Sequence, residues 1–213
     1  MTGPDYSSII DHYESCLAKH GDSHLGVDWP NARDAATRYG VMLDLMRGCE
    51  GAASLLDFGC GASHLYPYLR KNACSDITYV GLDVSEKFCE VSRNKYSENK
   101  YLCLDVLKEP DKLGNFDYVV MNGVFTEKQN LSFDQMFTYF KDLLSVVFEK
   151  TDRGLAFNVM SSHVDWERED LFHLPFDDLM PFLHRNLSRH VVIRNDYGLY
   201  EYTVYVYREA TNV

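Results

Sequence analysis

The chain has 213 residues, 46% of them apolar and 25% charged. That balance excludes a disordered chain and, at roughly 150 residues per domain, predicts one domain or one domain with an addition. Lys and Arg total 21 against 32 Asp and Glu, a formal charge of −11, which disfavours nucleic acid and anionic membranes as partners because their binding rests on basic side chains. Six cysteines (Cys16, Cys49, Cys60, Cys74, Cys89 and Cys103) form no Cys-x-x-Cys pair. No zinc signature is present, and scattered cysteines in a chain of this size read as reduced core residues. The N-terminus MTGPDYSSIIDHYESC lacks the basic and apolar blocks of a secretion signal. No apolar run reaches the roughly 18 residues that span a bilayer. The expectation is a soluble cytoplasmic protein.

Pro4 to His20 carries apolar residues at helical spacing (Ile9, Ile10, Tyr13, Leu17), and His20 to Pro30 reads as a loop. Asn31 to Met46 is predicted as a second helix. From Ser54 the pattern changes. Short apolar runs at Ser54–Phe58, Ile77–Leu82, Tyr101–Leu104, Phe116–Met121 and Gly154–Met160 read as strands. Helices are predicted between them at His64–Lys71, Ser85–Tyr96 and Ser132–Glu149, then at Asp177–Arg185. The tail holds two strands, His190–Arg194 and Leu199–Tyr207, around a turn-rich break. Alternating strands and helices predict an α/β fold with a mostly parallel sheet, closed by an antiparallel C-terminal hairpin. Residues 1–52 are expected to form a helical cap and residues 53–213 the core.

Open parallel sheets bind ligands beyond the carboxyl ends of their strands. The informative segment is LLDFGCGAS, Leu55 to Ser63, where the first strand turns into a helix. Gly59 and Gly61 permit a tight turn and a close backbone approach. A dinucleotide site would carry a third glycine where this chain has His64. Asp57 at the strand end suits an ammonium group better than a pyrophosphate. YVGLD (Tyr79 to Asp83) ends in an acidic residue 26 positions after Asp57, CLDV spans Cys103 to Val106, and FDYVVMNGVF ends the fourth strand at Phe116 to Phe125.

These four ordered segments resemble the class I S-adenosylmethionine-dependent methyltransferases over roughly Ala53 to Arg208. The resemblance implies a Rossmann-like fold with a mostly parallel seven-stranded sheet. It also implies S-adenosylmethionine as cofactor and S-adenosylhomocysteine as product. Gly59 and Gly61 would pass beneath the methionine and ribose. Asp57 would act near the amino group, and Asp83 would accept from the ribose hydroxyls. Asp105 would sit near the adenine amino group. Leu82, Val84, Leu104 and Val124 would pack on the adenine, with Val106 close by, and Asn122 and Gly123 would lie beside the methionine. In similar enzymes a residue from the added N-terminal region contacts the cofactor carboxylate, a role that suits Arg38, with Tyr39 beside it.

Transfer to a hydroxyl needs a base. His163, after the fifth strand, is the first candidate. His64 and Glu127 are the others, with a packing role weighed for His64 and a solvated carboxylate for Glu127. The segment Asn122-Gly123-Val124-Phe125 lacks the prolines of the nucleic-acid amino methylases. Clustered acidic ligands are absent, so no metal is expected. The expected reaction is O-methylation of a small molecule or sugar. N-methylation of a secondary metabolite, or a reaction that cyclises or cleaves the cofactor without methyl transfer, are the alternatives. A non-catalytic module that keeps the fold is the third reading.

Overall fold

A computed structural model describes residues 4–46, 48–72 and 76–210. Its strands are β1 (Ala53–Phe58), β2 (Ile77–Asp83), β3 (Lys100–Cys103), β4 (Phe116–Phe125), β5 (Thr151–Ser161), β6 (His173–Leu174), β7 (His190–Arg194) and β8 (Glu201–Tyr207). The helices are α1 (Ser7–His20), α2 (Ala32–Leu43), α3 (Leu65–Asn72), α4 (Glu86–Lys95), α5 (Phe133–Glu149) and α6 (Phe176–Phe182). The sheet order is β3-β2-β1-β4-β5-β8-β7, with the two-residue β6 pairing β5 off this path. Strands β1 to β6 pair in parallel, and β8 runs antiparallel to both β5 and β7. The expected seven strands are therefore present, and β6 is an addition. The chain builds outward from β1 through β2 to β3, then returns to place β4 on the other side of β1. The crevice at the carboxyl ends of β1 and β4 is thus the topological switch point, where such sheets take ligands.

Period-two alternation assigns the two faces. Leu56 and Phe58 of β1, Val119 and Met121 of β4, and Tyr202, Val204 and Val206 of β8 enter the core shared with α5 and α6. Their neighbours Leu55, Tyr118, Val120 and Tyr205 enter the core beneath α2 and α3. Helix α5 begins with a capping box. Ser132 accepts from the Gln135 amide, and the Gln135 side chain accepts from the Ser132 amide. The helix buries Met136, Phe140, Leu143, Leu144, Val147 and Phe148 along one stripe. Phe140 lies within ring-contact distance of Phe125, Phe137, Phe157, Phe172 and Phe182. Phe140→Ala should lower the unfolding free energy by about 3–5 kcal/mol, read from urea unfolding followed by circular dichroism.

Two elements and three cysteines depart from expectation. Strand β4 runs on to Phe125 past a register shift between Met121 and Phe125. The break comes from Asn122 and Gly123, the latter at φ +82°, and a bulge re-aims side chains where a ligand binds. The helix expected over Asp177–Arg185 starts at Phe176 and changes at Leu183 to a wider turn that ends at Leu187. Pro181, inside it, has no amide hydrogen to donate to a regular ladder. Cys60 and Cys89 are buried as expected of core thiols, but Cys16 and Cys49 are half-buried and Cys103 is exposed. All five are free, while Cys74 lies outside the described residues. Among the described residues, no helix is long and apolar enough to cross a membrane.

Candidate active site

A cleft of about 1130 Å³, its open mouth included, lies over the switch point. Its floor is the β1–α3 turn. Gly59 and Gly61 have φ +69° and +51°, in the left-handed region that costs glycine least. A β-carbon on Gly59 would meet Val124 at 2.7 Å. The Gly59 and Cys60 amides donate to the Leu82 carbonyl at 2.8 and 2.9 Å, fastening the turn to the end of β2.

Two carboxyls stand at the strand ends. Asp83 closes β2 and accepts from the Gly61 amide at 2.9 Å through one oxygen and from the Ser85 amide at 2.9 Å through the other. Both oxygens are held by backbone, and their remaining lone pairs face the cleft that Asp83 lines. Burial raises its pKa to about 6, against the pull of those amides. Asp57 closes β1 and accepts from the Tyr79 hydroxyl at 2.7 Å. Burial raises it to about 7, Tyr79 pulling it down and Asp83 adding to the rise.

One wall of the cleft is apolar, formed by Leu82, Val84, Leu104 and Val106. Val84 is 39% exposed, an open apolar surface facing the cleft. Asp105 lies at the far end of this wall. It accepts from the Tyr6 hydroxyl at 2.6 Å, from the Leu107 amide at 3.2 Å and from the Lys108 ammonium at 2.9 Å. Burial raises its pKa, but these donors outweigh burial and leave it below its ordinary value.

The opposite end is built on the β4 bulge. The Gly123 amide donates to Asn158 Oδ1 at 2.7 Å, and the Gly123 carbonyl accepts from Tyr13 and Thr126. The Asn158 amide donates to Glu201 at 3.0 Å, and Arg38 Nε donates to both oxygens of Glu201 at 2.8 and 3.0 Å. The Arg38 guanidinium lies 4.2 Å from the Trp29 ring centre. Trp29 in turn covers Gly123, where a β-carbon would come within 2.8 Å of the indole. The buried Asn122 Oδ1 has no hydrogen-bond partner, so this end of the cleft offers an unsatisfied acceptor to a ligand. Tyr6 at the N-cap of α1, Ile9, Ile10 and Tyr13 of α1, and Val27 with Trp29 complete the cleft from above.

All the expected cofactor residues except Arg38 line the cleft. Arg38 is engaged by Glu201 and Trp29, because a guanidinium next to a buried carboxylate is held by it. Of the candidate bases, His64 lines the cleft but is paired to Asp22 at 2.7 Å. Burial lowers its pKa, and the pull of Asp22 does not reverse that. His163 is exposed in the loop after β5, its ring 5.8 Å from that of Phe176, and does not line the cleft. Glu127 is buried just past β4, accepts from the Gln129 amide group at 2.7 Å, and is raised to about 7 by burial first and Asp28 second. It stands outside the lining, and its charge is felt by Tyr13, which does line the cleft. Sequence reasoning missed Tyr6, Tyr79 and Glu201. The one visible signal for the last was an acidic residue inside a closing strand of mostly apolar and aromatic residues.

The arrangement fits S-adenosylmethionine. Two glycines make a floor that β-carbons would fill, a fixed carboxylate offers paired acceptors, an apolar wall suits a flat ring, and the orphaned Asn122 oxygen awaits a donor. Residues 56–145 match the family model described as a methyltransferase domain. The Mycobacterium tuberculosis protein Rv1506c, which carries a methyltransferase name, is 26% identical over 155 residues, covering 72% of this chain and 92% of the relative. The magnesium protoporphyrin IX methyltransferase of Synechocystis PCC 6803, solved with S-adenosylmethionine, superposes with a TM-score of 0.62 at 17% identity, covering 96% of this chain and 93% of the other. The N-methyltransferase NodS of Bradyrhizobium japonicum, solved with S-adenosylhomocysteine, superposes with a TM-score of 0.63 at 15% identity, covering 95% and 97%. Residues 56–145 thus carry a methyltransferase domain, on the fold shared with these S-adenosylmethionine-dependent methyltransferases.

Proposed function

We propose that this methyltransferase acts on a hydroxyl of a small molecule, a saccharide among the candidates, and that residues 1–52 cap the cofactor and shape the acceptor entrance. The observation that carries this reading is Glu127. It is a buried carboxyl four residues beyond Gly123, raised to about 7 by burial, and its charge reaches Tyr13, which lines the cleft. An oxygen nucleophile must lose a proton as it attacks, and a base with pKa near the working pH does this best. The net charge of −11 supports a small acceptor over a nucleic acid.

When bound, S-adenosylmethionine supplies a methyl group on a sulfonium, which an acceptor displaces in line. The protein's own part is placement. Asp83 accepts from the ribose hydroxyls, and Asp57 and Asn122 receive the ammonium end. The Gly59–Gly61 floor and the Leu104 wall fix the nucleoside, with Val84 and Val106 along that wall, while Tyr39 packs at the rim. Asp105, fixed by Tyr6, reads the adenine edge. Trp29 and Tyr13 exclude water over Gly123, and Glu127 takes the acceptor's proton. In-line displacement rewards this fixing of reactants.

The test is incubation with S-adenosylmethionine and panels of hydroxylated and amine-bearing small molecules, scored by mass for methylated product and S-adenosylhomocysteine. Methylation of hydroxyls is expected, and Glu127→Gln should lower kcat roughly 10²–10⁴-fold with cofactor affinity unchanged. Methylation confined to amines, with full activity in Glu127→Gln, would point instead to N-methylation, the chemistry named for NodS.

The two strand-end carboxyls also predict a pH dependence. Their folded pKa values, about 7 for Asp57 and about 6 for Asp83, lie above the ordinary carboxyl value. In the free protein their ionisation therefore costs stability as pH rises from about 4 to 7. A ligand ammonium favours the ionised Asp57, so binding below pH 7 releases a proton. Affinity for S-adenosylhomocysteine should rise from pH 5 to pH 7.5, and Asp57→Asn should flatten the upper part of that rise. Calorimetric titration in two buffers of different ionisation enthalpy checks both.

A further inference from the structure

Outside the cleft, α1 and the following loop bring three different donor side chains to one point. His12 and Cys16 are one helical turn apart, on the same face of α1. Asp28, from the loop, has φ +58°, and His12 Nε2 lies 2.9 Å from Asp28 Oδ2. Cys16 Sγ lies 3.9 Å from the same His12 Nε2. Among the described residues this is the one group of three such side chains whose donor atoms all lie within 4.8 Å of one another. Cys16 is in no disulfide, and all three side chains are half-buried.

We propose that His12, Cys16 and Asp28 form a site for a thiophilic divalent metal of the zinc class, which ties α1 to the loop that carries Trp29. In a tetrahedral zinc site, bond lengths of about 2.0–2.3 Å put neighbouring donor atoms roughly 3.3–3.7 Å apart. The observed 2.9 and 3.9 Å bracket that span, so small side-chain rotations bring all three donors to one ion. A thiolate among the donors disfavours magnesium and calcium and favours zinc or cobalt. Three protein donors leave a fourth position open to water or an added ligand. The place in the fold supplies the role. Tyr13 adjoins His12 and bonds to the Gly123 carbonyl, and Trp29 adjoins Asp28 and covers Gly123. An ion here fastens together the two segments that roof the methionine end of the cleft.

The full chain, freed of metal, is titrated with Co²⁺ and separately with Zn²⁺. One equivalent per chain is expected, with the near-ultraviolet thiolate-to-cobalt charge-transfer band and a rise in thermal midpoint on adding Zn²⁺. Cys16→Ser and, independently, His12→Gln should remove the band and weaken binding at least tenfold. Cys103→Ser, which removes an exposed thiol elsewhere, should leave both intact. Binding that survives Cys16→Ser, a band that vanishes with Cys103→Ser, or no stoichiometric binding at all would overturn the site. S-adenosylhomocysteine titration of the same metal-free protein is read in parallel. Its binding there leaves the methyltransferase reading standing whichever way the metal result falls.

Discussion

Asp83→Ala should weaken S-adenosylhomocysteine binding by roughly 10²–10⁴-fold. A hydrogen bond to a charged group is worth about 1.5–3 kcal/mol, and two ribose hydroxyls facing one carboxylate make that about 3–6 kcal/mol. The substitution also strips the Gly61 and Ser85 amides of their acceptor, so the glycine floor loses the group that fixes it. Asp83→Asn keeps the volume and one oxygen. It should fall between wild type and alanine, since the amide nitrogen then faces one of the two donors. Calorimetric titration of all three proteins, with circular dichroism as the check on folding, measures the effect. Equal affinities across the series would show that the ribose is held elsewhere.

Glu201→Ala is expected to have the largest effect on stability outside the aromatic core, a loss of about 3–5 kcal/mol. Glu201 is 1% exposed. Burial raises its carboxyl, and Arg38 and Asn158 pull it back without fully offsetting the rise. Removing it leaves the Arg38 guanidinium beside a void and deprives Asn158 of the partner that orients it toward the Gly123 amide. Part of the loss should return in Arg38→Met with Glu201→Met, which replaces the pair by apolar volume, and a double-mutant cycle isolates the coupling. The Trp29 indole, stacked on Arg38, should become more mobile in the single variant. Its fluorescence anisotropy, read in a Trp166→Phe background, reports this. An unchanged midpoint and unchanged anisotropy would mean that the network carries neither stability nor the position of Trp29.

Much of the cleft floor was legible in the chain because it is local. Asp57, Gly59 and Gly61 sit within five residues at one strand end, and Asp83 and Asp105 each close a run of apolar residues. The strand that delivers such a residue also dictates where it points. The long-range pairs around the cleft were not legible. The relation of Tyr6 to Asp105, of Tyr13 to Gly123 and of Arg38 to Glu201 spans 99, 110 and 163 residues, and no spacing rule connects partners that far apart. His163 drew the first expectation as base because it follows a strand end, but β6 and the segment from Ser161 to Pro175 carry it to the surface. Glu127 is buried beside the site because β4 continues past its bulge and the Thr126 carbonyl accepts from the Phe172 amide. The His12, Cys16 and Asp28 group has no cysteine-spacing signature, because one of its donors arrives from a loop.

The sequence by itself determined the fold class, the chain order of the main strands and helices and the carboxylates and glycines that line the cleft. Each of these is encoded in hydrophobic period and in backbone chemistry a few residues long. Only the tertiary structure decided what roofs the cleft, which side chains hold Arg38 and Asp105, and which carboxyl is dry enough to keep its proton near neutrality. Those properties come from burial and from pairing across the sheet order, which exist only once β4 has been laid beside β1 and α1 has closed over them both.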